Sequence, residues 1–466
     1  MTRLSTIDGG FLLTESQNSP KHVGGLMIFQ LPKGKGPAWL RALLDEMKRC
    51  PPGFPFNQRL TRQAGLLYEM ETDEHFDIDY HVRHTVLPRP GSDAQLAEVT
   101  ARMHANLLDR DRPLWEFHLI EGLQGRRFAF YIKAHHAIGD GITFARWIDD
   151  STHASARARA VQPIWSRPLE PEGSRGDEPT LLGMALDAMI TLSGGVRTAF
   201  GISLISAKLL QRRFFDGDGH VVLPLSAPRT ALNVTTGSAR KIAFAEYPLE
   251  DLRAIGKARD ATINDVIMTL CDMAVSHYFE QHGGQPRGSL VAYMPVNVRT
   301  EEDDGEGNLL TLLQVKLASP HRDPLSALEE VRESIASARE VFSGAARPAI
   351  QYYSMLVALF AQFEETLKLG RFLPPVNNLV ISNVAGSRVK RYFKGAECVA
   401  MYPVSTLPPM TALNVTCCSY AGTVYFGLIA GRTAVPDLPL LTAYLDEAFA
   451  CLAEATGVTG SRRKSA

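Results

Sequence analysis

The sequence predicts a mixed α/β protein built in two halves, on three observations. The chain has 466 residues, too many for one ordinary core and suited to two domains of about 200 residues each. Strand-like and helix-like segments alternate up to about residue 150, and the alternation restarts near Arg240. Between these stretches, residues 151–179 turn to Ser, Ala, Arg, Pro and Gly with little periodicity, the composition of a linker or crossing segment. The expected division is an N-terminal domain over 1–150, a crossover with amphipathic helices over 151–239, and a C-terminal domain over 240–466.

In the first half, Val23 to Gln30 reads as a strand, and Ala38 to Arg49 and Ala94 to Leu107 as helices. Leu114 to Gly122 and Phe128 to His136 read as strands joined by a polar turn, and Ile142 to Asp150 as a short helix. In the second half the expected strands are Lys241 to Tyr247, Leu290 to Val298, Asn378 to Val384 and Asn414 to Leu428. Helices are expected over Pro248 to Lys257, Thr262 to Gln281 and Asp323 to Phe342. No repeat of 20 to 50 residues is present.

Composition narrows the function classes. The apolar fraction of 45% and the charged fraction of 21% are those of a soluble globular protein. A net charge of −1 gives no reason to expect nucleic acid as a partner. The basic clusters Lys208 to Arg213, Arg388 to Lys394 and Arg462 to Lys464 read as solvated faces, with an anionic lipid or a nucleotide phosphate as the alternative. Six scattered cysteines without metal-ligand spacing fit free thiols in a reducing cytosol, and no metal site is expected. Met1 to Gly10 lacks the basic and apolar regions of a secretion signal. Leu181 to Leu210 is the most apolar stretch, but Asp187 and Arg197 interrupt it short of the roughly 20 residues a membrane span needs. It reads as amphipathic helices on the protein's own core, with docking to a membrane surface as the alternative.

The most informative stretch is Ala134-His135-His136-Ala137-Ile138-Gly139-Asp140-Gly141, an HHxxxDG pattern at the end of a strand. Phe128, Phe130, Ile132 and Ala134 share one strand face, so His135 and His136 point opposite ways and at most one joins that face. One imidazole can do chemistry while the other is structural. The bland reading is a pair of core histidines before a turn in which Asp140 caps the next helix. That reading explains Asp140-Gly141 well and the adjacent histidines poorly.

Elsewhere, Pro113-Leu114-Trp115 starts a strand with Trp115 in the core, and His118 reads as structural. Thr262 to Asp265 reads as a capping-box variant, with a direct site role for Asn264 as the alternative. Ser382 or Asn383, at the end of a buried strand, could donate to an oxyanion, although strand-end hydrogen bonding is the commoner use.

These strings together resemble the bacterial bifunctional wax ester synthase/acyl-CoA:diacylglycerol acyltransferases, within the HHxxxDG acyltransferase superfamily. The likeness is nearly full length. It includes Leu4 to Asp8 with Phe11, His22-Val23-Gly24-Gly25, Phe76 to Arg83, Pro113-Leu114-Trp115, the HHxxxDG stretch, Asn264-Asp265, Pro295 to Arg299, Ser382-Asn383-Val384 and Tyr402 to Ser405. It implies two chloramphenicol-acetyltransferase-like α/β domains with a central substrate tunnel between them. It also implies transfer from long-chain acyl-CoA, a substrate rather than a cofactor, to a fatty alcohol or diacylglycerol, giving wax ester or triacylglycerol. His136 is then the general base, His135 supports it, Asp140 is a buried carboxylate fixing the loop through an arginine, and Gly141 leaves space for the donor. The expected location is cytoplasmic, with peripheral visits to the inner membrane or to lipid inclusions. Two other readings stay open: a condensation-type HHxxxDG acyltransferase with another acceptor, and a non-catalytic lipid-surface protein of the same fold. Gly139, Ala385 and Gly431 depart from the family pattern, and through the tunnel shape they bear on substrate preference.

Overall fold

The computed structural model describes residues 2–4, 6–62, 68–166, 202–284, 286–297, 310–320, 322–345 and 347–458. Most of Leu181 to Leu210, the pairs Val298-Arg299 and Gly307-Asn308, and the Arg462 to Lys464 cluster lie outside the described residues.

Two six-stranded mixed sheets carry the fold. The first runs in the order β12 (Tyr392–Phe393), β13 (Ala396–Val404), β2 (His22–Gln30), β7 (Arg127–His135), β6 (Trp115–Leu123) and β5 (Val82–Val86). The second runs β10 (Leu310–Lys316), β9 (Val291–Asn297), β11 (Leu379–Ala385), β14 (Leu413–Tyr420), β15 (Thr423–Gly431) and β8 (Arg240–Pro248). A small sheet of β1 (Thr2–Arg3), β4 (Tyr68–Thr72) and β3 (Gln58–Arg62) flanks the N-terminus. Antiparallel pairs dominate, with β5 parallel to β6 and β11 parallel to both β9 and β14.

Sheet membership does not follow a cut of the chain at 239/240. β12 and β13 come from the C-terminal half yet complete the first sheet, β13 pairing along β2 from Val404↔Gly24 to Glu397↔Gln30. Pairing of strands nearly 400 residues apart leaves no local sequence signal, because both look like ordinary buried strands. A second difference lies in Asn414 to Leu428, expected as one strand. The chain turns back at Ala421 (φ 46°) and Gly422 (φ 88°), making β14 and β15 a hairpin. Two positive-φ residues fit the tight hairpin turn, but alanine is a poor advertisement for it.

The helices are α1 (Thr6–Thr14), α2 (Pro37–Lys48), α3 (Ile78–His81), α4 (Asp93–Ala105), α5 (Gly141–Ser151), α6 (described over 202–210), α7 (Leu249–Ala258), α8 (Ile263–His282), α9 (Pro324–Phe342), α10 (Arg347–Thr366) and α11 (Leu438–Ala455). They give each sheet its own core. Leu252, Val266, Leu270, Val331 and Leu445 pack on the second sheet, while Phe29, Leu43, Trp115, Phe128 and Phe130 fill the first. In α6, Ile205 and Leu209 are buried against Val341, Ile350 and Tyr353, so the described end of the apolar stretch packs on the protein's own core. The adjoining basic cluster is largely engaged: Lys208 donates to the Ser343 carbonyl, and Arg212 pairs with Asp218 and Glu340.

The two sheets meet where β13 crosses β15. Tyr402 stacks on Phe244 with ring centroids 4.4 Å apart and donates to Glu246 at 3.0 Å. At the same seam a side chain on Gly427 would put its Cβ 1.7 Å from the Pro403 carbonyl oxygen, so only glycine fits without moving backbone. Arg391 ties the halves again. It donates to Thr152 Oγ1 and to the Asp149 and Thr152 carbonyls, covering the carbonyl end of α5, and faces the Asp149 carboxylate at 3.0 Å.

Gly427→Ala is expected to destabilise the protein by about 3 kcal/mol or more, because backbone rather than a flexible side chain must yield. Urea unfolding of the two proteins measures this, and a cost under about 1 kcal/mol would mean that the seam is soft.

Candidate active site

β7 is a central strand buried on both faces. Its even-numbered residues Phe128 and Phe130 pack against Phe29, while the opposite face meets α4. There Tyr131 hydrogen-bonds His104 Nδ1 at 2.8 Å, and Lys133 donates to the Met103 and Asn106 carbonyls. Burial lowers the Lys133 ammonium pKa, against the opposing pull of Glu116 3.3 Å away. His118 is buried in the same network, as expected of a structural histidine.

The strand ends at His135, and the two histidines part there. His135 is fully buried; its Nδ1 accepts the Ala137 N–H at 3.0 Å and its Nε2 faces Glu15 Oε1 at 3.4 Å. An Nδ1 that accepts must be unprotonated, so the ring proton lies on Nε2, towards the carboxylate. His136 is half-buried and faces the other way. Its backbone N–H donates to the Lys21 carbonyl at 2.8 Å, and its ring stacks on Phe11, centroids 4.3 Å apart and planes 13° from parallel.

Asp140 is the N-cap of α5, accepting the Thr143 N–H at 2.8 Å from a buried position. The capping reading is therefore correct for this carboxylate, and the cap fixes the loop that carries His136. Gly141, the first residue of α5, faces β11 with room for little more than a methyl group: its Cβ would lie 3.5 Å from Val384 Cγ2.

His136 and Gly141 open into a cavity of about 370 Å³ between the two sheets. α1, β2 and α5 form one wall, β9, β11 and α10 the other, and β13 closes the seam. Gly25 matters to its shape, since a Cβ there would approach Ile148 Cδ1 to 3.2 Å and press on that side chain. Ser382 and Asn383 reach this cavity from the end of β11. Asn264 does not line it. It sits in the first turn of α8, behind the capping box formed by Thr262 and Asp265, and accepts the Asn383 Nδ2–H at 2.8 Å. The structure thus brings His136, Gly141, Ser382 and Asn383 together, with His135, Asp140 and Asn264 one layer behind. Gly139, Ala385 and Gly431 are not among the residues lining the cavity. The space a Cβ would need at Gly139 is taken by the Trp147 ring at 2.8 Å, and at Gly431 by Thr236 at 2.7 Å. At Gly139 and Gly431 neighbouring side chains thus fill the space that a larger residue would take.

Sequence reasoning missed Glu15 and Lys21. Glu15 follows α1 with its side chain only 2% exposed, and Arg110 clasps it through Nε and Nη2 at 3.1 and 2.9 Å. Burial alone would raise its carboxyl, but His135, the Lys21 N–H and Arg110 outweigh that and hold it at about 2. Lys21 donates its N–H to Glu15 and its Nζ to Ser19 Oγ; burial pulls its ammonium down to about 8 although Glu365 and Glu15 oppose that. Neither residue shares a period or spacing with the HHxxxDG stretch, so no local signal exposed them. The Cys418 thiol also lines the cavity, and burial pushes it up to about 12, leaving it protonated near neutral pH.

Comparison with known proteins agrees with this architecture. Residues 4–267 match the wax ester synthase/diacylglycerol acyltransferase catalytic domain, and residues 306–453 match the C-terminal domain of the same family. A putative diacylglycerol O-acyltransferase of Mycobacterium tuberculosis is 33% identical over 98% of this chain and 100% of its own length. The O-acyltransferase WSD of Acinetobacter baylyi is 33% identical over 96% of each chain. Among solved structures, the wax ester synthase/diacylglycerol acyltransferase of Marinobacter aquaeolei superposes with a TM-score of 0.77 at 29% identity, covering 98% of this chain and 100% of that one. The first condensation domain of the CDA synthetase shares the fold, with a TM-score of 0.55 at 17% identity over 99% and 97% of the two chains.

The Glu15 carboxyl lies below its ordinary 4.5, so its stabilising effect is complete above that value and is lost as pH falls towards 2. Glu15→Gln should cost about 3–5 kcal/mol at neutral pH by stranding Arg110 and His135. In urea unfolding, the gap to the wild type should narrow between about pH 5 and pH 3. A gap that stays constant over that range would remove the carboxylate from this role.

Proposed function

The chain belongs to the wax ester synthase/diacylglycerol acyltransferase family, and from that premise we propose a general-base mechanism centred on His136. The protein is an acyltransferase. In the proposed reaction, His136 takes the proton of a fatty alcohol or diacylglycerol hydroxyl as the oxygen attacks the thioester carbonyl of a long-chain acyl-CoA. The tetrahedral intermediate collapses with loss of the carbon–sulfur bond, and His136 returns the proton to the CoA thiolate. Ester and free CoA are the products, with no acyl-enzyme and no redox change.

One observation carries this reading: His136 alone of the adjacent pair faces the apolar cavity, held by its backbone bond to Lys21 and its stack on Phe11. A base held in one orientation can meet a hydroxyl at about 3 Å without ordering itself in the transition state. His135 supports it by bracing the turn through Ala137. Ser382 and Asn383, on the facing wall, are suited to donate to the oxyanion, with Asn264 orienting Asn383. The protonated Cys418 thiol favours direct transfer over a cysteine nucleophile.

The acceptors are lipids, each buried methylene contributing about 0.8 kcal/mol to membrane partition. No helix among the described residues is long and apolar enough to cross a bilayer. We infer a peripheral contact through α10 instead. Leu356, Leu359, Phe363 and Leu367 follow one helical stripe and are 36–53% exposed, and Phe372 just beyond is 80% exposed. Leu359 belongs to this stripe and also lines the cavity, so the lipid-facing side and the site adjoin.

With palmitoyl-CoA and either hexadecanol or dipalmitoylglycerol, His136→Ala should lower CoA release about 100- to 10,000-fold, and His135→Ala less. Equal losses with a folded His135→Ala protein would end the division of labour, and no CoA release by the wild type with either acceptor would end the reading itself. Phe363→Glu with Leu367→Glu should abolish co-sedimentation with dioleoylglycerol-containing vesicles while keeping turnover of detergent-dispersed hexadecanol. Undiminished vesicle binding would place the lipid contact elsewhere.

A further inference from the structure

Among the described residues that line the cavity, Lys21 is the one lysine, arginine or carboxylate. It stands directly across the strand pair from His136. The β2–β7 ladder runs out to His22↔His135, and the next bond beyond it joins the His136 N–H to the Lys21 carbonyl at 2.8 Å. Residues paired in this way have Cα atoms about 5.5 Å apart and side chains on the same face. Lys21, Val23 and Gly25 follow at the two-residue period of a strand and all line the cavity, so the Lys21 side chain leaves the backbone on the His136 side.

The fold itself makes little use of this ammonium. Lys21 is tied to Glu15 and to His136 through its backbone N–H and carbonyl, which any residue but proline would supply. Its Nζ donates to Ser19 Oγ at 2.8 Å, which takes one of three protons, and the residue is only 5% exposed. A methionine would fill much the same space without carrying a charge out of water. The charged groups that face Lys21 are Glu15 after α1, Glu365 on α10 and Arg240 on β8. Glu15 is shared with Arg110 and His135, burial raises the Glu365 carboxyl, and Arg240 adds a second positive charge. Positive charge therefore prevails at this part of the wall.

We propose that the Lys21 ammonium stabilises the CoA sulfur as it departs, offsetting its negative charge until His136 protonates it. In this step the carbon–sulfur bond of the tetrahedral intermediate breaks and its electron pair passes to sulfur. The proton held by His136 then moves to the sulfur, and Lys21 keeps its own protons throughout. Ser382 and Asn383 serve the carbonyl oxygen from the facing wall, whereas the sulfur must end within reach of His136, where Lys21 stands. The role rests on the acyl-transfer reading above.

The pH dependence has a definite sign. Burial pulls the ammonium down to about 8, so its charge is present below that value and is lost above it. With palmitoyl-CoA and hexadecanol, the wild-type kcat should fall about tenfold between about pH 7 and pH 9.5, with little change in KM. Lys21→Met should already be about tenfold slower at pH 7 and should show no further fall near pH 8. Lys21→Arg, which stays charged throughout, should recover part of that loss and keep it to pH 9.5. A wild-type kcat that is flat over this range overturns the role, whether or not either variant folds. A fall near pH 8 that persists in folded Lys21→Met, or a loss in that variant carried by KM alone, also overturns it. No CoA release by the wild type with hexadecanol or dipalmitoylglycerol at any pH instead removes the acyl transfer on which the role rests.

Discussion

The site depends on a buried carboxylate. Glu15 lies at the junction of α1 with the strand that follows, and three groups converge on it: Arg110 from the segment after α4, His135 at the end of β7, and the Lys21 N–H. A carboxylate taken out of water is costly unless such partners meet it, so none of the three can drift without exposing the charge of another. Through His135 the constraint reaches the turn that carries His136, and through Lys21 it reaches the backbone that His136 hydrogen-bonds. α1 then contributes Phe11 to the face of the His136 ring. The His136 ring is thus stacked on one face while its backbone and the turn that follows it are fixed by hydrogen bonds.

The same economy governs the larger architecture. Each sheet has its own core, yet the first is incomplete without β13, a strand supplied by the second half of the chain. The exchange forces the halves into register, and Gly427 allows the crossing to be close. A cavity between two sheets tied in this way is bounded by elements from both, which suits a reaction that must hold a donor and an acceptor together. α10 contributes two faces to this arrangement. One lines the cavity at Ala358 and Gln362, and the other presents Leu356, Phe363 and Leu367 outward.

Much of this was legible without coordinates. The strands ending in Gln30 and His135 and the long helix after Thr262 appear where hydrophobic periodicity and capping residues put them. Strand alternation already gave the two histidines unequal surroundings. The Asp140 cap follows from its place before a helix. Less legible were features created by distant pairing: β13 in the other half's sheet, and the hairpin whose turn uses Ala421. Gly139 and Gly431 read from sequence as departures that bear on the shape of the tunnel, but Trp147 and Thr236 occupy the space a side chain would need there. A gap left by a missing side chain is filled or not according to neighbours that come from other elements.

By itself, then, the sequence determined the reaction class, because an HHxxxDG stretch embedded in many ordered family strings carries that resemblance locally, and it singled out His136 as the base to propose. The tertiary structure alone decided what holds the base and which charge stands beside it. Glu15, Arg110 and Lys21 acquire their roles only when burial brings opposite charges within hydrogen-bonding distance. Lys21 comes to lie across from His136 only because β2 pairs with β7. Electrostatics and desolvation act through space, and spacing along the chain does not encode them.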